Sequence, residues 1–192
     1  MTVPPLSADV LTDARDQLAR MVRTAPRFID AVRVWAGFPL HGVRARSATT
    51  VPLAEHDAAL LDLPTATPVL RREIHLVAKM VGPIFVAASI TELVHEPLLG
   101  ADITARRALR DGPQPTDAIL DGLHRAVCLV TRTDSDPGTG TTALIAQTIL
   151  SGAGRPVALT AEAVHWGLIT HRTPDTIPHY ATQLPRTSRV AL

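Results

Sequence analysis

The sequence predicts an α+β fold: a mainly antiparallel sheet with helices packed on one face. Three observations carry this reading. Residues 69–77 alternate, so that Leu70, Arg72, Ile74 and Leu76 share one strand face while Arg71, Glu73 and His75 share the other. Residues 84–90 are apolar on both faces, as an interior strand requires. Gly82-Pro83 stands between the two runs and makes them a hairpin at the centre of the sheet. Later strands are also joined by tight turns, which makes neighbours antiparallel.

The elements follow in order. Residues 1–8, with Pro4 and Pro5, form a loose lead-in. A helix is predicted from Asp9 to Thr24, because Leu11, Ala14, Leu18, Met21 and Val22 fall on one face. Pro26 suits the first turn of a second helix, which buries Phe28, Ile29, Val32 and Trp35 and stops at Gly37. A strand is expected around Val43–Val51, favoured by the β-branched Thr49-Thr50-Val51. Short helices are expected at Leu53–Leu61 and Asp102–Arg110, and one more turn through Leu120 with Thr116 as its N-cap. Strands follow at Ala126–Arg132, Thr141–Leu150 and Pro156–Val164, with a polar loop at 133–140 and a turn at Ser151–Arg155. The tail from Gly167, with Pro174, Pro178 and Pro185, is expected to be loosely ordered or to lie over the surface.

Composition bounds the function. The 192 residues suit a single domain. With 46% apolar and 19% charged residues the chain is globular rather than disordered. A net charge of +1 argues against a nucleic-acid surface. Cys128 is the only cysteine, which excludes an internal disulfide. The N-terminus lacks a basic start followed by an apolar core, and no apolar stretch is long enough to span a bilayer. The expectation is a cytoplasmic protein whose partner is a small molecule, not a nucleic acid or a membrane.

Two residues stand out chemically. Arg72 shares its face with Leu70, Ile74 and Leu76, and a buried guanidinium needs an anionic partner, either internal or a ligand carboxylate. Glu162 sits in the last strand among Thr160, Ala161, Ala163 and Val164. It is a solvent-face residue, a salt-bridge partner of an arginine, or a general acid or base near Arg72. Other signals fail. Gly138-Thr139-Gly140 lacks the lysine of a phosphate-binding loop, and Ser151-Gly152-Ala153-Gly154 reads as a hairpin turn. The eight histidines show no metal-ligand spacing, so no metal site is expected. His75 reads as a surface residue, His165-Trp166 as packing at the sheet edge, and Cys128 as a buried inert thiol.

The order of several short motifs resembles the chorismate pyruvate-lyase fold group, which includes the UTRA ligand-binding domains of bacterial regulators. Ala36-Gly-Phe-Pro-Leu-His41 is similar to the stretch before the first long strand of the lyases. Pro68-Val-Leu-Arg-Arg72-Glu-Ile-His-Leu76 resembles their Arg-Glu-Ile-Leu-Leu strand, and Gly82-Pro-Ile-Phe-Val-Ala-Ala-Ser89 resembles the next. Ser151-Gly-Ala-Gly-Arg-Pro-Val-Ala-Leu-Thr-Ala-Glu162 resembles the last hairpin, which ends in the family's Thr-Glu. The match covers about residues 24–165.

The sheet face bearing Arg72 must be covered by something apolar, so an enclosed ligand cavity is expected between the sheet and the connections at 93–122. The resemblance makes Arg72 the holder of a substrate carboxylate and Glu162 the acidic catalytic residue. Ser89 falls at the substrate-binding position of the family's second arginine, Pro115-Thr116-Asp117 at its Pro-Leu-Gly flap, and Ile145-Ala146 at its arginine pair. The implied activity is elimination of pyruvate from chorismate to give 4-hydroxybenzoate, without metal or cofactor. With those cationic positions changed, a second reading is the same fold turned to elimination or cyclisation on a more apolar biosynthetic intermediate. A third is a non-catalytic, UTRA-like small-molecule-binding domain. It ranks last because two N-terminal helices are fewer than a winged DNA reader needs.

Overall fold

The computed structural model describes residues 8–78, 85–99, 102–133 and 142–170. Its elements are α1 (Ala8–Thr24), α2 (Phe28–Ala36), β1 (His41–Arg44), β2 (Thr49–Pro52), α3 (Glu55–Leu61), β3 (Pro68–Ala78) and β4 (Phe85–Val94). A 3-10 turn (Glu96–Leu99), α4 (Ile103–Asp111), α5 (Thr116–Ile119), β5 (His124–Arg132), β6 (Thr142–Gly152), β7 (Arg155–His165) and α6 (Trp166–Thr170) complete it. The sheet has seven strands in the order β1-β3-β4-β7-β6-β5, and β2 also pairs with β3. Every pairing is antiparallel, so the α+β class and the central β3–β4 hairpin stand as the sequence predicts. The Gly82-Pro83 turn and residues 134–140 of the polar loop lie outside the described residues.

β1 and β2 replace the single strand expected at Val43–Val51. They pair with successive halves of β3, His41–Arg44 against Val77–Ile74 and Thr49–Pro52 against Arg71–Pro68. The β6–β7 hairpin turns through Ala153 and Gly154 at φ 49° and 76°. Two left-handed residues in a two-residue turn match the twist of the strands they join.

One sheet face carries Leu76, Ala88, Ala146 and Val164, and α1, α2 and α6 cover it with Leu18, Val22, Phe28, Val32, Trp35 and Ile169. Each large side chain buried there contributes about 1.5–3 kcal/mol. Further along the same face Leu70, Val94, Leu150 and Ala158 pack against Leu109 of α4. Helices do not all lie on this face, however. α3 packs Ala58 and Leu61 against Val69 and Leu159, which alternate to the opposite face. The physical reason is the second apolar set on the strands: Val69, Leu93 and Leu159 also need cover. The Arg72 face is called the inner face below, and the α3 face the outer one.

Several local expectations are corrected. α2 begins at Phe28 after an extended Arg27, so Pro26 precedes the helix instead of lying in its first turn. Thr116 is the first residue of α5, and Pro115 is its cap. Asp102 caps α4 by accepting a hydrogen bond from the Ala105 N–H at 2.9 Å. Cys128 is exposed, beside the register shift between Val127 and Leu129 that interrupts alternation in β5. Gly167–Thr170 belong to α6, where Leu168 and Ile169 are buried, so they are not a loose tail; residues 171–192 lie outside the described residues.

Gly42 fixes the approach of β1 to the Gly112–Pro115 connection. A Cβ there would meet the Pro113 carbonyl oxygen at 2.3 Å. That contact is with backbone and cannot rotate away. Gly42→Ala is expected to cost about 1–3 kcal/mol, as overpacking does, read as a lower denaturant midpoint at unchanged slope.

Candidate functional site

The inner face places four polar residues in a row across the strands: Arg72 lies opposite Glu92, Glu92 opposite Thr160, and Thr160 opposite Thr148. Arg72 is 3% exposed and Glu92 1%. Arg72 Nη1 donates to Glu92 Oε2 at 2.6 Å and to Thr116 Oγ1 at 3.3 Å. Its Nη2 donates to the carbonyls of Gly112 at 3.2 Å and Gln114 at 2.7 Å. Glu92 in turn accepts from the Thr116 N–H at 2.8 Å and the Thr116 hydroxyl at 2.9 Å. Burial pushes the Glu92 carboxyl upward, against the pull of Arg72 and the Thr116 hydrogen bonds. Arg72 keeps its charge, since a guanidinium is not deprotonated in a protein. The internal partner that the sequence left open for Arg72 is therefore Glu92, and the pair ties the α4–α5 connection to the sheet.

Glu162 shares this face but has a partner of its own. Arg125 Nε donates to Glu162 Oε1 at 3.2 Å and Nη2 donates to Oε2, a two-bond fork. Arg125 Nη1 also reaches the carbonyls of Val22 at 2.8 Å and Ala25 at 3.2 Å, which holds the α1–α2 turn against β5. The hydroxyls of Thr148 and Thr160 donate to Glu162 at 3.2 and 3.3 Å. Burial raises the Glu162 pKa, while the Arg125 fork and Thr148 oppose it. Glu162 is thus the salt-bridge partner of an arginine, one of the three readings the sequence left open for it.

Ser89 is not brought to either group. It pairs across the sheet with His75 and Ala163, and its hydroxyl lies 3.3 Å from His165 Nε2. It lies three positions before Glu92 on the same strand, an odd offset, so it points to the outer face.

Little room remains where the enclosed cavity was expected. A cavity of about 10 Å³ is lined by Glu92, Asp117, Thr160 and Glu162 with Phe28 and Ile90, enough for about one water. Burial raises the Asp117 pKa, opposed by Arg27 and Arg125, and its Oδ1 is buried with no hydrogen-bond partner among the described residues. Its folded pKa exceeds its unfolded one, so the protein loses stability as pH rises through that window. Asp117→Asn is expected to raise the melting temperature at pH 7–8. The gain should vanish below the ordinary carboxylate value of 3.8. Thermal melts across pH check it.

The roomier site is on the outer face. A cleft of about 380 Å³ lies between the sheet and the start of α3, and its floor includes Leu93, Leu159 and Ala161. Thr91 and Ala161 are cross-strand neighbours, and their small side chains make the hollow. Arg71, Thr91 and Gln147 rise from the floor, and Asp57 stands on the α3 wall. Sequence reasoning had placed Arg71 on the polar face without a role; the cue it lacked was α3 crossing that face. Among the described residues no group of acidic, histidine or cysteine side chains has the arrangement to hold a metal ion. No helix among them is long and apolar enough to cross a membrane.

The chain matches no protein-family model and no curated protein. Among solved structures it is similar to the C-terminal domain of Yurk from Bacillus subtilis, at 12% identity and a TM-score of 0.45 over 62% of this chain and 86% of that one. It is similar to the PhnF C-terminal domain at 12% identity and a TM-score of 0.44, over 65% and 81% of the two chains. The ligand-binding domain of a GntR-family regulator from Bordetella bronchiseptica gives 10% identity and a TM-score of 0.47, over 66% and 84%. These likenesses are of low identity, and they leave the function of this chain to be argued from its own site.

Proposed function

We propose that the chain is a small-molecule-binding domain that takes its ligand in the outer cleft and performs no chemistry on it. The observation that carries this reading is the contrast between the two sheet faces. On the inner face Arg72 and Glu162 are fully engaged by protein groups around about 10 Å³ of space. On the outer face about 380 Å³ stands against polar side chains, a size within the range of small-ligand sites. A substrate carboxylate on Arg72 would have to displace Glu92, and breaking a buried pair costs about 3–5 kcal/mol. Elimination of pyruvate from chorismate is the competing proposal and carries that cost.

The test is a thermal-shift screen of small organic compounds, followed by amide NMR of each compound that raises the melting temperature. Binding stabilises the folded chain by mass action. The expected footprint is Leu93, Gln147 and Ala161. A footprint centred on Ile90, Glu92 and Glu162 would overturn the reading.

A further inference from the structure

Besides Thr160, whose hydroxyl is bonded to Glu162 on the inner face, four polar residues line the outer cleft: Arg71, Asp57, Thr91 and Gln147. No internal hydrogen bond or ion pair engages any of them among the described residues. The contrast with their surroundings is informative. Glu73, next to Arg71 in its own strand but one, is paired with Arg46 at 3.6 Å and lies 3.5 Å from His75. Arg71 stands apart from that group. Its cross-strand neighbours are Thr49 and Leu93, and neither offers a counter-charge. Asp57 sits in the first turn of α3, where a carboxylate is already favoured by the helix N-terminus.

The two free charges are of opposite sign and come from opposite sides of the cleft, Arg71 from the sheet and Asp57 from the helix. The same cleft is lined by the apolar Val51, Leu93 and Leu159. A ligand that complements all three features has an anionic group for the guanidinium, a cationic group for the carboxylate and an apolar body for the floor. Arg71 favours a planar carboxylate, which its two N–H edges can match. Gln147 and Thr91 add a neutral donor and acceptor at the floor.

We propose that the outer cleft binds an amino-carboxylate zwitterion with an apolar body, of the size of a branched amino acid or a short apolar dipeptide. This rests on the reading of the cleft as the ligand site and adds the ligand's class. Arg71 takes the carboxylate and Asp57 the ammonium. A purely apolar ligand leaves both charges to be desolvated without compensation, and a dianion is repelled by Asp57.

The experiment is calorimetric titration of the full chain with matched probes: leucine and leucyl-leucine, 4-methylpentanoate (no ammonium), isopentylamine (no carboxylate) and a neutral amide bearing an isobutyl group. Each charge-assisted contact is expected to be worth about 10- to 100-fold in affinity. A zwitterion should therefore bind at least about tenfold tighter than either singly charged probe. Arg71→Met should weaken the zwitterion and 4-methylpentanoate alike while leaving isopentylamine unchanged. Asp57→Asn should do the converse. Both residues are at the surface, so both variants are expected to fold, and thermal melts without ligand verify it. Equal binding of zwitterion and 4-methylpentanoate, with no effect of Asp57→Asn, would overturn the zwitterion assignment and leave the cleft as an anion site. Binding of no probe by the folded chain would overturn the assignment as well. An NMR footprint on the inner face would overturn the cleft reading itself.

Discussion

Replacing Glu92 by Gln is expected to lower the stability of the fold by about 3–5 kcal/mol, a fall of about 6–20 °C in melting temperature for a chain of this length. The substitution keeps the shape of the side chain and one acceptor oxygen, so the loss is not a cavity effect. It comes from Arg72, which stays charged at 3% exposure with no counter-ion. The Thr116 N–H and hydroxyl, which Glu92 accepts at 2.8 and 2.9 Å, also lose strength of contact. The double variant Arg72→Met, Glu92→Leu should recover much of the loss, because apolar replacement removes the uncompensated charge. Recovery should be incomplete. The carbonyls of Gly112 and Gln114 then lose their donor, at about 1–3 kcal/mol for each oxygen left buried and unsatisfied. A double-mutant cycle by denaturant unfolding measures all three terms. Equal and additive small effects would show that the pair is not integral to the fold.

Arg125→Met should be as costly, about 3–5 kcal/mol, but with a distinctive pH dependence. Arg125 holds the Glu162 pKa down against burial. Without it Glu162 keeps only the Thr148 and Thr160 hydroxyls, and its folded pKa moves further above the ordinary 4.5. A carboxyl whose folded pKa is raised favours the folded state when protonated, and that stability is lost as pH rises through the folded pKa. The variant should therefore be closest to the parent chain below pH 4.5 and furthest from it at pH 8. The same change also frees the carbonyls of Val22 and Ala25, so amide exchange should quicken at the α1–α2 turn before it does in the sheet. Denaturant melts from pH 4 to pH 8 check the first expectation, and hydrogen exchange checks the second.

The sheet was legible in the sequence because strand alternation is a short-range signal. The pattern around Arg72 placed Leu70, Ile74 and Leu76 on the covered face, where they are buried. Arg72 and Glu162 were legible for the same reason, as charges on strands that otherwise read as apolar. Their partners were not. Glu92 carries the same signal as Glu162, since it alternates with Ile90 and Val94, but the sequence reading ended that strand at Ile90, two residues short of it. Arg125 lies one residue before the predicted start of its strand, and β5 in fact begins at His124. Boundary errors of four residues in β4 and two in β5 thus hid both counter-ions. The outer cleft was illegible for a different reason. It depends on α3 folding back over β7, a long-range packing choice that no local pattern encodes. Cys128 was misread because the register shift in β5 cannot be seen from the residues that flank it.

The central claim is that Arg72 and Glu162 hold the fold together and that the cleft on the other face binds the ligand. Its most direct test is incubation of the folded wild-type chain with chorismate, with 4-hydroxybenzoate followed by absorbance and confirmed by chromatography. The expected result is no product above the spontaneous rate, from a chain whose melting temperature chorismate leaves unchanged. Formation of 4-hydroxybenzoate that Glu162→Gln abolishes in a still-folded chain would contradict it.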